Sequence, residues 1–221
     1  MMDEERPKPS ATRDAHHAMS GWYDRLTDWG AAVERQALVM LSAREGEDIV
    51  NVGSGSGRAL TALVGAVGAP GRVWGVDLSM GVLRRSQQRL MGAAQRRRVA
   101  LLCGDAAQLP LRDSSADAAL CILKLEVLPP DRVPLALAEL RRVLRPGGRL
   151  VVAAMVEGRR RHPAVRLYRW ARTRYPMRVN GRPIHPRTLL VSAGFAIVDV
   201  AAASLWGLPV EVVLATSPMP R

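Results

Sequence analysis

Two hydrophobic rhythms alternate along this chain, and each change of rhythm marks the end of an element. Five short runs are apolar at nearly every position: Asp48–Val52, Arg72–Val76, Val99–Cys103, Asp117–Leu123 and Arg149–Ala154. Such runs predict strands buried on both faces, as in a parallel sheet. Between them the apolar residues fall three and four apart, the spacing of a helix with one buried stripe. Leu60, Leu63, Val64 and Val67 make one stripe. A second helix runs from the N-cap Ser79 to about Ala94, and a third follows Pro129-Pro130 through Leu137, Leu140 and Leu144. Arg145-Pro146-Gly147-Gly148 stops the third, since proline cannot continue a helix and glycine suits a left-handed cap. Strands alternating with helices predict an α/β fold, a doubly wound parallel sheet between two helical layers. Right-handed crossovers then place every strand's C-terminal end on one edge, where ligands bind.

The flanks are less regular. Residues 1–15 are polar and aperiodic and read as a flexible tail. Over 16–43 two helical patterns follow, Ser20–Asp28 and Ala31–Leu41, containing Trp22, Tyr23, Leu26 and Trp29, then Val33, Leu38, Val39 and Leu41. They suit a helical lid over the mouth of a site, and equally a pair of helices covering one sheet face. After the fifth strand come Arg159-Arg160-Arg161-His162 and a helix from Pro163 to Tyr175. Its apolar face reads as Ala164, Leu167, Tyr168 and Ala171, with Arg166, Arg169 and Arg172 around it. A short helix, His185–Ala193, precedes two strands, Phe195–Ala201 and Val210–Ala215, joined through Ser204–Pro209 as a closing hairpin. Residues 16–221 read as a single domain.

Composition changes this picture in two places. The net charge of +12 raises the question of a nucleic-acid partner, but 30 of the 32 basic residues are arginine and they are spread along the chain. Such a skew reads as a compositional bias more than as a polyanion or membrane partner; few aromatics to stack on bases disfavour nucleic acid, and contact with an anionic membrane surface stays open. Cys103 and Cys121 sit in apolar strands without a CxxC pattern, so they read as buried thiols, and no metal site is expected. No run is long enough to span a membrane and the start lacks a signal pattern, which makes a cytoplasmic protein the expectation.

The chemistry concentrates in Val50-Asn51-Val52-Gly53-Ser54-Gly55-Ser56-Gly57. A strand, a glycine turn and a helix start together offer bare backbone and unpaired N–H donors to a polar or anionic group. The dinucleotide fingerprint wants G-x-G-x-x-G, whereas these glycines give G-x-G-x-G. Asp77, ending the second strand, can accept from two ribose hydroxyls in either kind of site. Asp105, ending the third, is placed to accept from an adenine amino group. Lys124 ends the fourth on the same edge.

These stretches resemble, in order and spacing, the class I S-adenosylmethionine-dependent methyltransferases. The resemblance rests on Val50–Gly57, Gly75–Ser79, Gly104–Pro110 and Leu140–Gly148, with Ser192-Ala193-Gly194-Phe195 as a further feature. It is nearest to the branch of ubiquinone and menaquinone biosynthesis, which act on small molecules or lipid-like quinones. It implies a Rossmann-like seven-stranded sheet with an antiparallel last strand, and S-adenosylmethionine as cofactor. Gly53, Ser54, Gly55 and Gly57 would hold the methionine part, Asp77 the ribose, Leu78 one adenine face, and Asp105 and Ala106 the adenine edge. Ile122–Lys124 would flank the sulfonium, and Tyr23 would enter the pocket or pack in the core.

Two positions depart from the family. Asn51 stands where relatives carry an acid; it keeps a hydrogen-bond acceptor but loses a charge, or serves only to order the turn. Lys124-Leu125-Glu126 replaces a histidine or aromatic, and reads either as a contact for a substrate anion or as a surface ion pair. His16, His17, His162 and His185 lie outside every motif, so no general base is named. Three readings follow: a small-molecule or lipid methyltransferase, a cofactor-binding protein of the same fold without turnover, and an NAD(P)-dependent oxidoreductase, which the glycine spacing and Asp105 oppose.

Overall fold

A computed structural model describes residues 30–55, 57–90, 98–159, 161–175, 179 and 181–219. The expected tail, the helix over Ser20–Asp28 and Tyr23 lie outside these. The apolar runs become β1 (Asp48–Val52), β2 (Arg72–Asp77), β3 (Val99–Cys103), β4 (Ala116–Ile122) and β5 (Leu144–Met155), followed by β6 (Ala196–Leu205) and β7 (Leu208–Thr216). All seven join one sheet in the order β3-β2-β1-β4-β5-β7-β6, with β7 antiparallel to both its neighbours. β1 lies between β2 and β4 and is parallel to each. The chain winds from β1 out to β3 and only then crosses to β4, so the connections diverge between β1 and β4. An open sheet leaves a crevice at that point, beyond the strands' C-terminal ends.

Helices α1 (Ala31–Leu41), α2 (Arg58–Val67), α3 (Met80–Arg89), α4 (Val133–Val143), α5 (Pro163–Arg174) and α6 (Pro186–Ser192) cover the two faces. Strand residues alternate between the layers, as the period of two demands. Ile49, Leu120, Val151 and Ala153 pack with α1, α2 and α5, while Val50, Cys121, Leu150 and Val152 pack with α4 and α6. Leu60, Leu63, Val64 and Val67 are fully buried, so the stripe seen in the sequence is the inner face of α2.

Several expectations are corrected. This does not extend to α1, which fits one of the two readings of residues 16–43: it covers a sheet face, with Val33, Ala37 and Leu41 buried in the core. α4 ends at Val143, and Leu144 leaves it in an extended conformation, so no glycine caps it; the chain enters β5 at once because Leu144 pairs with Ala116. Strands β6 and β7 run longer than expected, and a two-residue turn at Trp206-Gly207, both left-handed, joins them. Cys103 is exposed rather than buried, because β3 is an edge strand; Cys121, in the sheet centre, is buried and its thiol pushed up to about 12. On α5 Ala164 and Tyr168 face inward as expected, joined by Val165, whereas Leu167 is 64% exposed.

Candidate functional site

The glycine turn leaves β1 directly into the crevice. It is held by the neighbouring strand: the Val76 carbonyl of β2 accepts from Gly53 N–H at 2.7 Å and from Ser54 N–H at 3.1 Å. Gly53, Gly55 and Gly57 have φ of 71°, 56° and 81°, the left-handed region that glycine enters without penalty. α3 buttresses the turn from outside. Ser86 Oγ lies 2.7 Å from the Gly55 carbonyl, and a Cβ on Gly57 would come within 2.9 Å of Ser86 Cα.

The strand ends touch one another in series. One Asp77 oxygen accepts from Gly55 N–H at 3.3 Å and the other from Ser79 N–H at 3.1 Å. Each still has a lone pair toward the crevice, since a carboxylate oxygen accepts twice. Gly104 N–H donates to the Asp77 carbonyl at 3.2 Å, which brings the Asp105 loop alongside. Leu78, 43% exposed, offers an apolar surface between them. Ala106 is half-buried against the core of that layer. Asp105 is more engaged than the sequence suggested. Its carboxylate accepts from Ala107 N–H at 2.9 Å and pairs with Arg132, so it orders its own loop while facing the site edge. Arg132 was not singled out in the sequence, because it lies 27 residues away.

β4 closes the other side. Leu123 has φ of 52°, an uncommon setting for a bulky residue, fixed by its N–H donating to Ala153 at 2.7 Å. This bend throws the Lys124 stem across Gly53, where any Cβ would collide with Lys124 Cγ, Cδ and Cε. The expected Lys124–Glu126 surface pair is corrected here. Glu126 is 2% exposed, on a 3-10 turn (Leu125–Val127) beneath the chain at Gly181. Its Oε1 accepts from Met155 N–H at 3.2 Å, while Oε2 has no partner among the described residues. Burial pushes its carboxyl up to about 7 against the opposing backbone hydrogen bonds and Lys124. Tyr168 donates to the Gly181 carbonyl at 2.8 Å, so α5 contributes to the same corner. Spacing alone could not have found Glu126: Lys-Leu-Glu at a strand end reads as surface until the chain from 181 to 184 is laid over it.

Two features make the crevice a fit for a bulky polar ligand. Among the described residues, Ser54 Oγ is buried without a partner, and apart from its chain neighbours a Cβ at Gly55 would meet nothing nearer than the Gly53 carbonyl at 3.8 Å. Asn51 lies buried behind them in β1. A nucleoside with an amino-acid tail would meet donors in the turn, acceptors at Asp77 and a hydroxyl at Ser54.

Residues 50–152 match the family model described as a methyltransferase domain. An O-methyltransferase of Penicillium expansum, cnsE, is 36% identical over 180 residues, covering 80% of this chain and 59% of that protein. The ubiquinone/menaquinone biosynthesis C-methyltransferase UbiE of Burkholderia mallei is 30% identical over 154 residues, 67% of this chain and 62% of its own. The chain thus spans only about three-fifths of the length of these two relatives. Among solved structures, the 1,6-didemethyltoxoflavin-N1-methyltransferase of Burkholderia thailandensis, with bound 1,6-didemethyltoxoflavin and S-adenosylhomocysteine, superposes with a TM-score of 0.71 at 23% identity. It covers 98% of this chain and 93% of its own. Over residues 50–152 the chain therefore matches a methyltransferase domain, and its seven-stranded sheet is the Rossmann-like one of S-adenosylmethionine-dependent methyltransferases.

Proposed function

We propose that the chain is an S-adenosylmethionine-dependent methyltransferase acting on a small, amphipathic acceptor. The observation that carries the reading is the open glycine turn between β1 and β4, with Ser54, whose buried hydroxyl has no partner among the described residues, in it and Asp77 beside it. Gly53–Gly57 and Ser54 hold the methionine part, Asp77 the ribose hydroxyls, Leu78 the adenine face, and Asp105 with Ala106 its edge. The cofactor supplies a methyl group on a sulfonium, transferred by in-line displacement. The chain's own task is then chiefly alignment of donor and acceptor. Where the acceptor atom carries a proton, Glu126 is the candidate to receive it: its Oε2 has no partner among the described residues, and burial pushes its carboxyl up to about 7. Lys124 offers a cation to an acidic group on the acceptor. The O-methyl, C-methyl and N-methyl transfer named for the relatives supports a small-molecule acceptor, and UbiE a lipid-like quinone, without choosing the atom methylated.

Calorimetry with S-adenosylhomocysteine tests the cofactor reading. Asp77→Ala removes two charge-assisted acceptors and should cost about 1.5–3 kcal/mol of affinity. Wild-type affinity in that variant, or no binding by the parent, would overturn the assignment. Asn51 favours a second reading, a binding protein without turnover, because a charge is missing beside the cofactor's ammonium. Transfer of label from tritiated S-adenosylmethionine into the small-molecule fraction of a cell extract separates the two.

A further inference from the structure

The edge that carries the glycine turn also carries a surface of a different kind. β7 runs antiparallel to β5, and Met155 pairs with Val210, so the turn Trp206-Gly207 emerges on the same edge as the C-terminal end of β5. That turn rests on the start of α5: a Cβ on Gly207 would lie 3.0 Å from His162 Cε1 and 3.2 Å from Ala164 Cβ. α5 has two distinct apolar sides. Val165 and Tyr168, three apart, face the core. Leu167 and Trp170, also three apart, face outward and are 64% and 59% exposed. Tyr175, 42% exposed, stands edge-on to Trp170 with ring centres 6.1 Å apart, and Trp206 is 40% exposed at the turn.

The charge around this ridge is mostly of one sign, with the exposed Glu157 just before it. From Gly158 to Val198 the sequence contains ten arginines and no aspartate or glutamate. Arg159, Arg161, Arg166 and Arg169 are all exposed, and none has an acidic partner among the described residues. By contrast, Arg142, Arg145 and Arg149 outside this stretch, and Arg187 within it, each hold a carboxylate.

A helix with a Leu–Trp ridge flanked by arginines has the build of one that lies in the plane of a membrane interface. The ridge sinks to the acyl boundary, and the guanidiniums meet anionic headgroups while their stems cover apolar surface. Trp and Tyr, apolar in body and polar at one end, prefer that depth. A nucleic acid would use the arginines but give Leu167 nothing to bury against. We propose that the outer face of α5, with the Trp206-Gly207 turn beside it, docks the chain on an anionic lipid bilayer. The docking does not depend on the methyltransferase reading. If that reading holds, the site edge faces the membrane, and the acceptor class narrows to amphiphiles that partition into it.

The test is co-sedimentation of the full chain with vesicles of phosphatidylcholine alone, or of an equimolar mixture with phosphatidylglycerol. Binding is expected to the mixed vesicles only, with a blue shift of tryptophan emission that Trp170→Phe reduces. Replacing Arg161, Arg166 and Arg169 together by glutamine removes three headgroup contacts and should weaken partitioning on the order of a hundredfold. The pair Leu167→Gln and Trp170→Gln keeps every charge and should also release the chain. Unchanged thermal melting and S-adenosylhomocysteine affinity in these variants show that the fold is intact. Equal partitioning of parent and variants would overturn the proposal. So would binding of a DNA or RNA oligonucleotide that displaces the vesicles and is insensitive to the Leu167/Trp170 pair, which would assign the arginines to nucleic acid.

Discussion

Each glycine of the turn is glycine for its own reason. At Gly53 the obstacle is Lys124, whose stem occupies the place of a Cβ, and at Gly57 it is the backbone of Ser86. At Gly55 the left-handed φ of 56° opposes a side chain, but apart from its chain neighbours no atom of the described residues comes nearer to a Cβ than the Gly53 carbonyl at 3.8 Å. Gly55→Ala should therefore keep the fold at a strain cost of about 1 kcal/mol, yet weaken S-adenosylhomocysteine binding at least about tenfold. Melting and calorimetry on the same sample check both halves; unaltered affinity would move the ligand away from the turn. Glu126 makes a second prediction. Burial raises its folded pKa to about 7, so the folded chain holds this proton more tightly than the unfolded one. Its contribution to stability is full below the unfolded carboxyl's pKa and is lost as pH rises through about 7. Glu126→Gln should stabilise the chain by about 1–3 kcal/mol at alkaline pH and bring no gain in acid. Melting curves across pH read this, and the same loss at every pH would make Glu126 a simple packing residue.

Loops at the site are only as ordered as the elements behind them. The loop after β3 is fixed by α4 through two side chains one turn apart. Arg142 donates to the Leu109 and Leu111 carbonyls at 3.1 and 2.8 Å, and Glu139 accepts from Leu109 N–H at 2.7 Å and from Arg142. The Arg142 hydrogen bonds hold the Glu139 carboxyl below its ordinary range, outweighing its burial. Arg142→Ala removes the guanidinium donor from two carbonyls and from the carboxylates of Glu139 and Asp113. A loss of roughly 2–3 kcal/mol is expected, with faster amide exchange concentrated in the Asp105–Leu111 loop. Exchange that rises evenly over the chain would show that α4 does not anchor the loop.

Across the whole molecule, arginines clamp carboxylates at the strand starts, whereas Arg161, Arg166 and Arg169 on and before α5 hold none among the described residues. On the edge away from the site, Arg145 bridges Asp48 and Asp117, while Arg149 reaches Glu47 and the Leu41 and Ser42 carbonyls. These contacts tie the starts of β1, β4 and β5 to the end of α1. Burial acts to raise the Asp117 pKa, but the hydrogen bonds from Arg145 and Asp48 N–H together outweigh it and lower the value. A lowered folded pKa gives stability that is present above the unfolded carboxylate's pKa and lost as pH falls through the folded one. Arg145→Gln should therefore move acid unfolding, followed by circular dichroism, to higher pH. The Arg161/Arg166/Arg169 glutamine triple should leave it in place, since those guanidiniums bind no acid in the described fold. Identical acid midpoints for Arg145→Gln and the parent would remove Arg145 from the clamp.

Sequence by itself determined the sheet, the crevice and the residues along its rim. Near-continuous apolar strands alternate with striped helices, and only a doubly wound sheet buries both, so Gly53, Asp77, Asp105 and Lys124 had to share an edge. Tertiary structure alone decided what depends on a partner distant in the chain. Glu126 is buried because residues 181 to 184 pass over it, with Arg182 N–H on its carbonyl and Ile184 N–H on Met155. Arg132 claims Asp105 because the start of α4 lands beside that loop. Leu167 faces outward although it shares the helical spacing, because a period of 3.6 marks possible faces of α5 while the neighbours decide which one is covered. Periodicity records local geometry; burial of a charge or exposure of a leucine is settled only by what packs against it.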